Sequence, residues 1–364
     1  MRKGVNYNDY LALDQLLDLQ QRESAKLGHP AHDEMLFIIT HQTYELWFKQ
    51  LRVELESVRD IFRQSYVEDA DVLYAVHLLE RMNEIMQLLV RQVDIIETMT
   101  PLDFMDFRDD LVPASGFQSW QFRLLETALG LQHFGRAMPA AGYLSALKPE
   151  HRKKLEAAAH EPSLFSLIDG WLQRTPFVNF EGFDFWAAYH DAVENMLETD
   201  KALISTNPHL DAAEKDEQLA RLADTHETFS VIFDESRHAE LQKDGHWRLS
   251  YPALKASLLV LLYRDEPILN GPFRLLTALI ELDQQMASWR QRHMQMALRM
   301  IGSKISTGGM SGGSQGYLQA TINKHRIFGD FTALSTFLLP RSKLPKLPQN
   351  VQHKLGFSYR HQAS

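Results

Sequence analysis

Three runs of apolar residues recur at spacings of three and four along this chain, and almost no stretch alternates with period two. Phe37, His41, Tyr44, Phe48, Leu51, Leu55, Val58 and Phe62 line one face of a long helix. Leu79, Met82, Met86, Leu89, Val93 and Ile96 mark a second within residues 72–99. Leu275, Leu279, Leu282, Met286, Trp289, His293, Met296 and Met300 form a third. Near-heptad stripes of this kind belong to helices packed at shallow angles, so the fold class is all-α, a large helical bundle.

The punctuation agrees. Pro30 and Asp33 precede the His41 helix, and Asp33 and Glu34 suit the positive end of a helix dipole. Pro101 and Asp103 open a short helix that Pro113-Ala114-Ser115-Gly116 ends, and Pro267, Gly271 and Pro272 separate a helix ending near Tyr263 from the His293 helix. Thr307 to Ser314 is a Gly/Ser-rich loop of the kind that covers ligands. Three consecutive parts are expected. Residues 1–134 are an N-terminal arm and the first half of the core. Residues 135–235, which are more polar, are a smaller helical subdomain, and 236–364 hold the second half of the core, the Gly-rich loop and an irregular tail after Pro340.

The chain has no cysteine and 16 histidines, which excludes disulfides, thiolate nucleophiles, zinc fingers and Fe–S clusters and leaves His, carboxylates, Met or Tyr for any metal. A net charge of −9 argues against nucleic acid or an anionic membrane as partner. Met1 to Tyr7 lacks the apolar stretch of a signal peptide, and Leu258–Tyr263 is too short to span a bilayer, so a cytoplasmic enzyme is expected.

His41 and His293 lie inside apolar stripes on different helices. A histidine among Phe, Met and Trp either satisfies a hydrogen bond in the core or binds something, and the pattern leaves both open. Two of them in a cysteine-free bundle admit an iron porphyrin, with one proximal imidazole and one facing the open side. Glu235-Ser236-Arg237-His238 is one Glu-x-x-His motif, but a di-iron bundle needs a second, and its polar neighbours read as a solvated helix face. Gly309-Met310-Ser311-Gly312-Gly313 matches Gly-x-Ser-x-Gly only formally, since no strand precedes it. Arg108 sits among Phe104, Met105 and Phe107, where its planar fork suits a substrate carboxylate or a salt bridge to Asp106 or Asp110.

Longer phrases carry a resemblance. His32 to Lys49, Asp106-Phe107-Arg108 with Pro113 to Ser119, and Trp289-Arg290-Gln291-Arg292-His293 with Lys304, Thr307, Gly308 and Gly309 together resemble the tryptophan 2,3-dioxygenase family over nearly the whole chain. The resemblance implies a bundle enclosing a b-type haem, with His293 as proximal iron ligand and His41 as the distal histidine that hydrogen-bonds the indole N–H. Phe37 would pack the indole, and Arg108 would clamp the substrate carboxylate. Thr307 would contact the ammonium and carboxylate groups, Ser115 would lie near the haem edge, and Phe104 falls at a position held by either tyrosine or phenylalanine. Tyr7, Tyr10 and Leu11 match a segment that enters a neighbouring subunit of a homotetramer. The implied reaction takes L-tryptophan and O2 to N-formyl-L-kynurenine; the alternative is a haem monooxygenase that hydroxylates a tryptophan derivative.

The chain departs from the family pattern in the loop, with Ser306 where glycine is usual, Met310 where serine is usual, and a slightly longer run. A secondary tryptophan site would use Trp171, Arg174 and Pro176, but Glu68 to Ala70 do not fit as its partners, so none is expected.

Overall fold

The computed structural model describes residues 4–114, 116–131, 147–180, 182–302 and 326–356. Among these the chain is all-α, with a single two-stranded hairpin that pairs β1 (Asn179–Phe180) with β2 (Phe183–Asp184).

In chain order the helices are α1 (Tyr7–Leu11), α2 (Leu13–Leu17), α3 (Glu23–Lys26), α4 (Glu34–Phe62), α5 (Asp69–Ile96), α6 (Pro101–Arg108), α7 (Trp120–Leu129) and α8 (Pro149–Ala159). They continue with α9 (Leu164–Leu172), α10 (Phe185–Thr206), α11 (Ala212–Phe233), α12 (Glu235–Lys243), α13 (Tyr251–Leu262), α14 (Pro267–Ile301), α15 (Gly329–Ala333) and α16 (Gln349–Leu355). The three stripes fall on α4, α5 and α14. α14 does not wait for Pro272: it begins at Pro267 and runs through Gly271 and Pro272. A proline in the second turn gives up one backbone hydrogen bond near the end where such bonds are already missing. Gly271 faces the α5 side chains Val72 and Leu73, where a Cβ would make ordinary van der Waals contact. The described part of the tail is also more regular than expected, since it includes α16.

Local chemistry sets the boundaries. Thr100 caps α6 in a reciprocal box with Asp103, and Pro101 fills the first helical position. Ser119 caps α7, and Gly130 at φ +117 ends it in the left-handed region, where a side chain would be strained. The Glu34 carboxylate at the head of α4 accepts the backbone N–H groups of Glu23 and Ser24 and the Ser24 hydroxyl.

Compact packing divides the chain into two units that interleave in sequence. One comprises Met1–Ser57, Glu80–Ser163 and Glu281–Ile327; the other comprises Val58–Leu79, Leu164–Ile280 and Phe328–Ser364. In the first, the Tyr44 hydroxyl of α4 donates to the Leu89 carbonyl of α5, and α8 packs along α7. In the second, α10 and α11 form a largely exposed hairpin, which accounts for the polar composition there, and α9 packs on the apolar α13. Each buried Leu, Met or Phe of these cores contributes roughly 1.5–3 kcal/mol by leaving water.

Candidate active site

The candidate residues of the described chain lie in the first unit, and burial along the stripes sets them apart. On α4, Tyr44, Phe48, Leu51 and Leu55 are buried, as are Leu282, Met286, Met296 and Met300 on α14. Phe37, His41, Trp289 and His293 break the pattern and are only half-buried. The chemistry-bearing members of two stripes are therefore the ones that the chain's own packing leaves partly open.

Ring contacts connect these residues. Phe37 stands one turn before His41 with ring centroids 4.1 Å apart, and it packs on Phe104 at 5.7 Å and Phe107 at 5.6 Å, both from α6. His41 meets Tyr44 at 6.5 Å, Tyr44 meets Trp289 at 6.0 Å, and Trp289 stacks on His293 at 5.3 Å. Phe48 and Phe122 close the far side of Trp289 at 5.8 and 4.8 Å. Helical spacing of three and four places each of these side chains on the same face as its neighbour.

His41 Nδ1 lies 2.7 Å from the carbonyl oxygen of Phe37. A carbonyl can only accept, so Nδ1 carries the proton and donates it. Nε2 is then left with a lone pair, ready to accept from an N–H. Burial lowers the His41 pKa, opposed by the Phe37 hydrogen bond and by the charge of Glu45. Burial also pushes the His293 pKa down to about 4, helped by His41 nearby. Both imidazoles are neutral near pH 7, and a neutral ring is what a metal requires.

Arg108 ends α6, next in sequence to the aromatic wall. Its side chain is 17% exposed and pairs with Asp109, which is 87% exposed, at 3.1 Å. The local partner is thus Asp109, where Asp106 or Asp110 were the expected candidates. Tyr7, Tyr10 and Leu11 lie on α1 and are exposed. Ser115 and Thr307, with the Gly-rich loop around the latter, lie outside the described residues.

Sequence reading placed Tyr44 and Trp289 in stripes without a role, and did not single out Phe107 as a site residue. Their spacing was the available signal: Tyr44 follows His41 by three, Trp289 precedes His293 by four, and Phe107 follows Phe104 by three. One reading needs correction. His238 is not on a solvated face but is 1% exposed, donating Nε2–H to the Leu249 carbonyl at 2.9 Å between Trp247 and Tyr251. In the second unit, Arg174 donates to the carbonyls of Gln64 and Ser65, and Trp171 packs edge-on against Phe62.

Among the described residues, no three His, Asp or Glu side chains converge as ligands for a bare ion. The donor set instead offers one imidazole, His293, that no described protein group hydrogen-bonds, half-buried and stacked on Trp289. A flat, mostly apolar group that brings its own equatorial ligands fits that arrangement.

These features define an all-helical protein whose site sets two neutral histidines, from separate long helices, against an aromatic wall beside an arginine. The chain belongs to the tryptophan 2,3-dioxygenase family, whose model matches residues 1–338. It is 46% identical over 356 residues to the tryptophan 2,3-dioxygenase of Bdellovibrio bacteriovorus, covering 98% of this chain and 99% of that one. It is also 46% identical over 361 residues to the enzyme of the same name from Alteromonas mediterranea, with 98% and 99% covered. With that of Dictyostelium discoideum it shares 44% over 360 residues, covering 98% and 90%.

Proposed function

We propose that this chain holds a b-type haem through His293 and dioxygenates L-tryptophan beside it, opening the indole ring to N-formyl-L-kynurenine. Dioxygenation of tryptophan is the reaction of the family to which the chain belongs. The observation that carries the residue-level reading is His41. Its Nδ1 is spent on the Phe37 carbonyl, so Nε2 is a fixed acceptor, and an indole ring offers one N–H donor.

Haem iron, when bound, supplies the site at which O2 is activated toward the electron-rich C2–C3 bond. The chain's own residues do the positioning. His41 Nε2 accepts the indole N–H and sets the rotation of the ring; it orients the substrate more than it removes a proton. Phe37, backed by Phe104 and Phe107, packs the indole face. The Arg108 fork takes the substrate carboxylate in two parallel hydrogen bonds, a better partner than exposed Asp109. Thr307 contacts the ammonium and carboxylate groups and Ser115 lies near the haem edge, both assigned by family likeness. The aromatic wall excludes water from the indole.

A homotetramer completes the reading, with Tyr7, Tyr10 and Leu11 reaching a neighbouring subunit. Their exposure supports it, as do Ile39, Leu46 and Val53, exposed at seven-residue intervals along α4. No described helix is long and apolar enough to cross a membrane, and the acidic balance is consistent with a cytoplasmic enzyme that binds neither membrane nor nucleic acid.

The test is anaerobic reduction of purified protein, addition of L-tryptophan, then heavy-oxygen gas. The expected product absorbs as N-formylkynurenine and carries two heavy oxygen atoms. A product with one heavy oxygen would make the chain a monooxygenase, and no tryptophan-dependent O2 uptake would remove the enzymatic reading.

A further inference from the structure

We propose that Glu126 is a positioning residue for His293, acting through Arg290. The proposal rests on the reading of His293 as iron ligand and goes one step behind it.

Ligand histidines are ordinarily oriented by a carboxylate or carbonyl that accepts from the second ring nitrogen. No described protein group does this for His293. Its orientation therefore depends on the Trp289 ring it stacks against, and on where α14 itself is held. Arg290 lies three residues before His293, an adjacent position on the helix face. It is buried, and its Nη2 donates to Glu126 Oε1 of α7 at 2.9 Å. Arg123 Nη1 donates to Glu126 Oε2 at 3.0 Å. One fully buried carboxylate thus uses both oxygens, one to hold α14 and one to be held within α7.

The same face of α7 supplies Phe122, which packs on Trp289 at 4.8 Å and lies beneath the Arg290 guanidinium at 5.9 Å. The turn that precedes His293 is therefore gripped by a ring and a carboxylate from one helix. Burying these charges costs desolvation, and apolar side chains of equal volume would hold two helices together as well or better. Directed charged hydrogen bonds differ in that they set the rotation and height of the helix. Arg292 provides the contrast. It pairs with Asp94 of α5 and with Glu97 just beyond that helix, and the more exposed of these partners leaves screening to weaken the positional force.

The test uses the haem-loaded full chain. Glu126→Gln keeps the side-chain shape and removes the charge; Arg290→Lys keeps a buried ion pair, and hence the fold, but loses the fork. In both, the iron–histidine stretching band of the ferrous protein is expected to shift and broaden in resonance Raman spectra. Haem should also pass to apomyoglobin about tenfold faster, the low end of the loss seen when partners behind a metal ligand are removed. Arg292→Gln should leave band and rate as in the parent. A parental band and parental rate in Arg290→Lys overturn the proposal, whether or not Glu126→Gln folds. Absence of any iron–histidine band in the parent would instead sink the ligand reading itself, so the two failures are distinct.

Discussion

Each unit of the molecule keeps a histidine among aromatic rings, and the two are spent differently. In the second unit, His238 is sealed between Trp247 and Tyr251 and gives Nε2–H to the Leu249 carbonyl, while its Nδ1 is buried without a partner. The same Arg248–Leu249 backbone donates on its other side to the Asp330 carboxylate, both at 2.7 Å. In the first unit, His293 stacks on Trp289, His41 bonds within its own helix turn among the described residues, and both remain half-open. Apolar surroundings do not separate a core histidine from a ligand histidine. Access does: the unpartnered nitrogen of His238 is sealed where no ligand can reach it, whereas a neutral ring in a half-open position can offer one.

Substituting the two histidines gives the widest split. His293→Ala should yield a folded, helical protein without a Soret band. His238→Ala should keep the Soret band and lose about 3 kcal/mol of stability, from the cavity and the stranded Leu249 carbonyl. A His293→Ala protein that retains full haem would erase the distinction. Arg108→Ala comes next. Its partly exposed guanidinium should contribute about 2 kcal/mol to substrate binding, raising KM for L-tryptophan about 30-fold with kcat little changed. An unchanged KM would take the carboxylate clamp away from Arg108.

The smallest effect concerns Asp330. Burial is the largest influence on this carboxyl and raises its pKa, with the Leu249 and Arg248 N–H groups opposing. The folded chain therefore binds this proton more tightly than the unfolded chain. Its contribution is complete below the ordinary carboxylate range and is lost as pH rises through the folded-state pKa. Asp330→Asn cannot ionise, so its unfolding midpoint should fall less than the parent's over that interval. Parallel pH profiles of the two proteins would show that Asp330 titrates as an ordinary carboxylate.

Much of this was legible along the chain. The stripes through Leu51, Met82 and Leu279 mark three long helices because burial of one face imposes a period that no other element shares. The phrases around His41, Arg108 and His293 carried the family. Less legible was the interleaving of the two units, since α4, α5 and α14 each run from one to the other and periodicity records a buried face without recording against what. His238 was misread for the same reason: its polar sequence neighbours are solvated, and only the fold of 247–251 back over α12 buries it.

The sequence by itself determined the helical class, the cysteine-free chemistry and the two histidines that a cofactor site needs, because residue type and spacing act locally. Tertiary structure decided which histidine stays open, which nitrogen of His41 is left to accept, and that a carboxylate on α7 grips the turn before His293. The His41 bond is made within one helix turn, but the openness of the rings and the Glu126–Arg290 contact depend on side chains far apart in sequence meeting in space, and no local period encodes such a meeting.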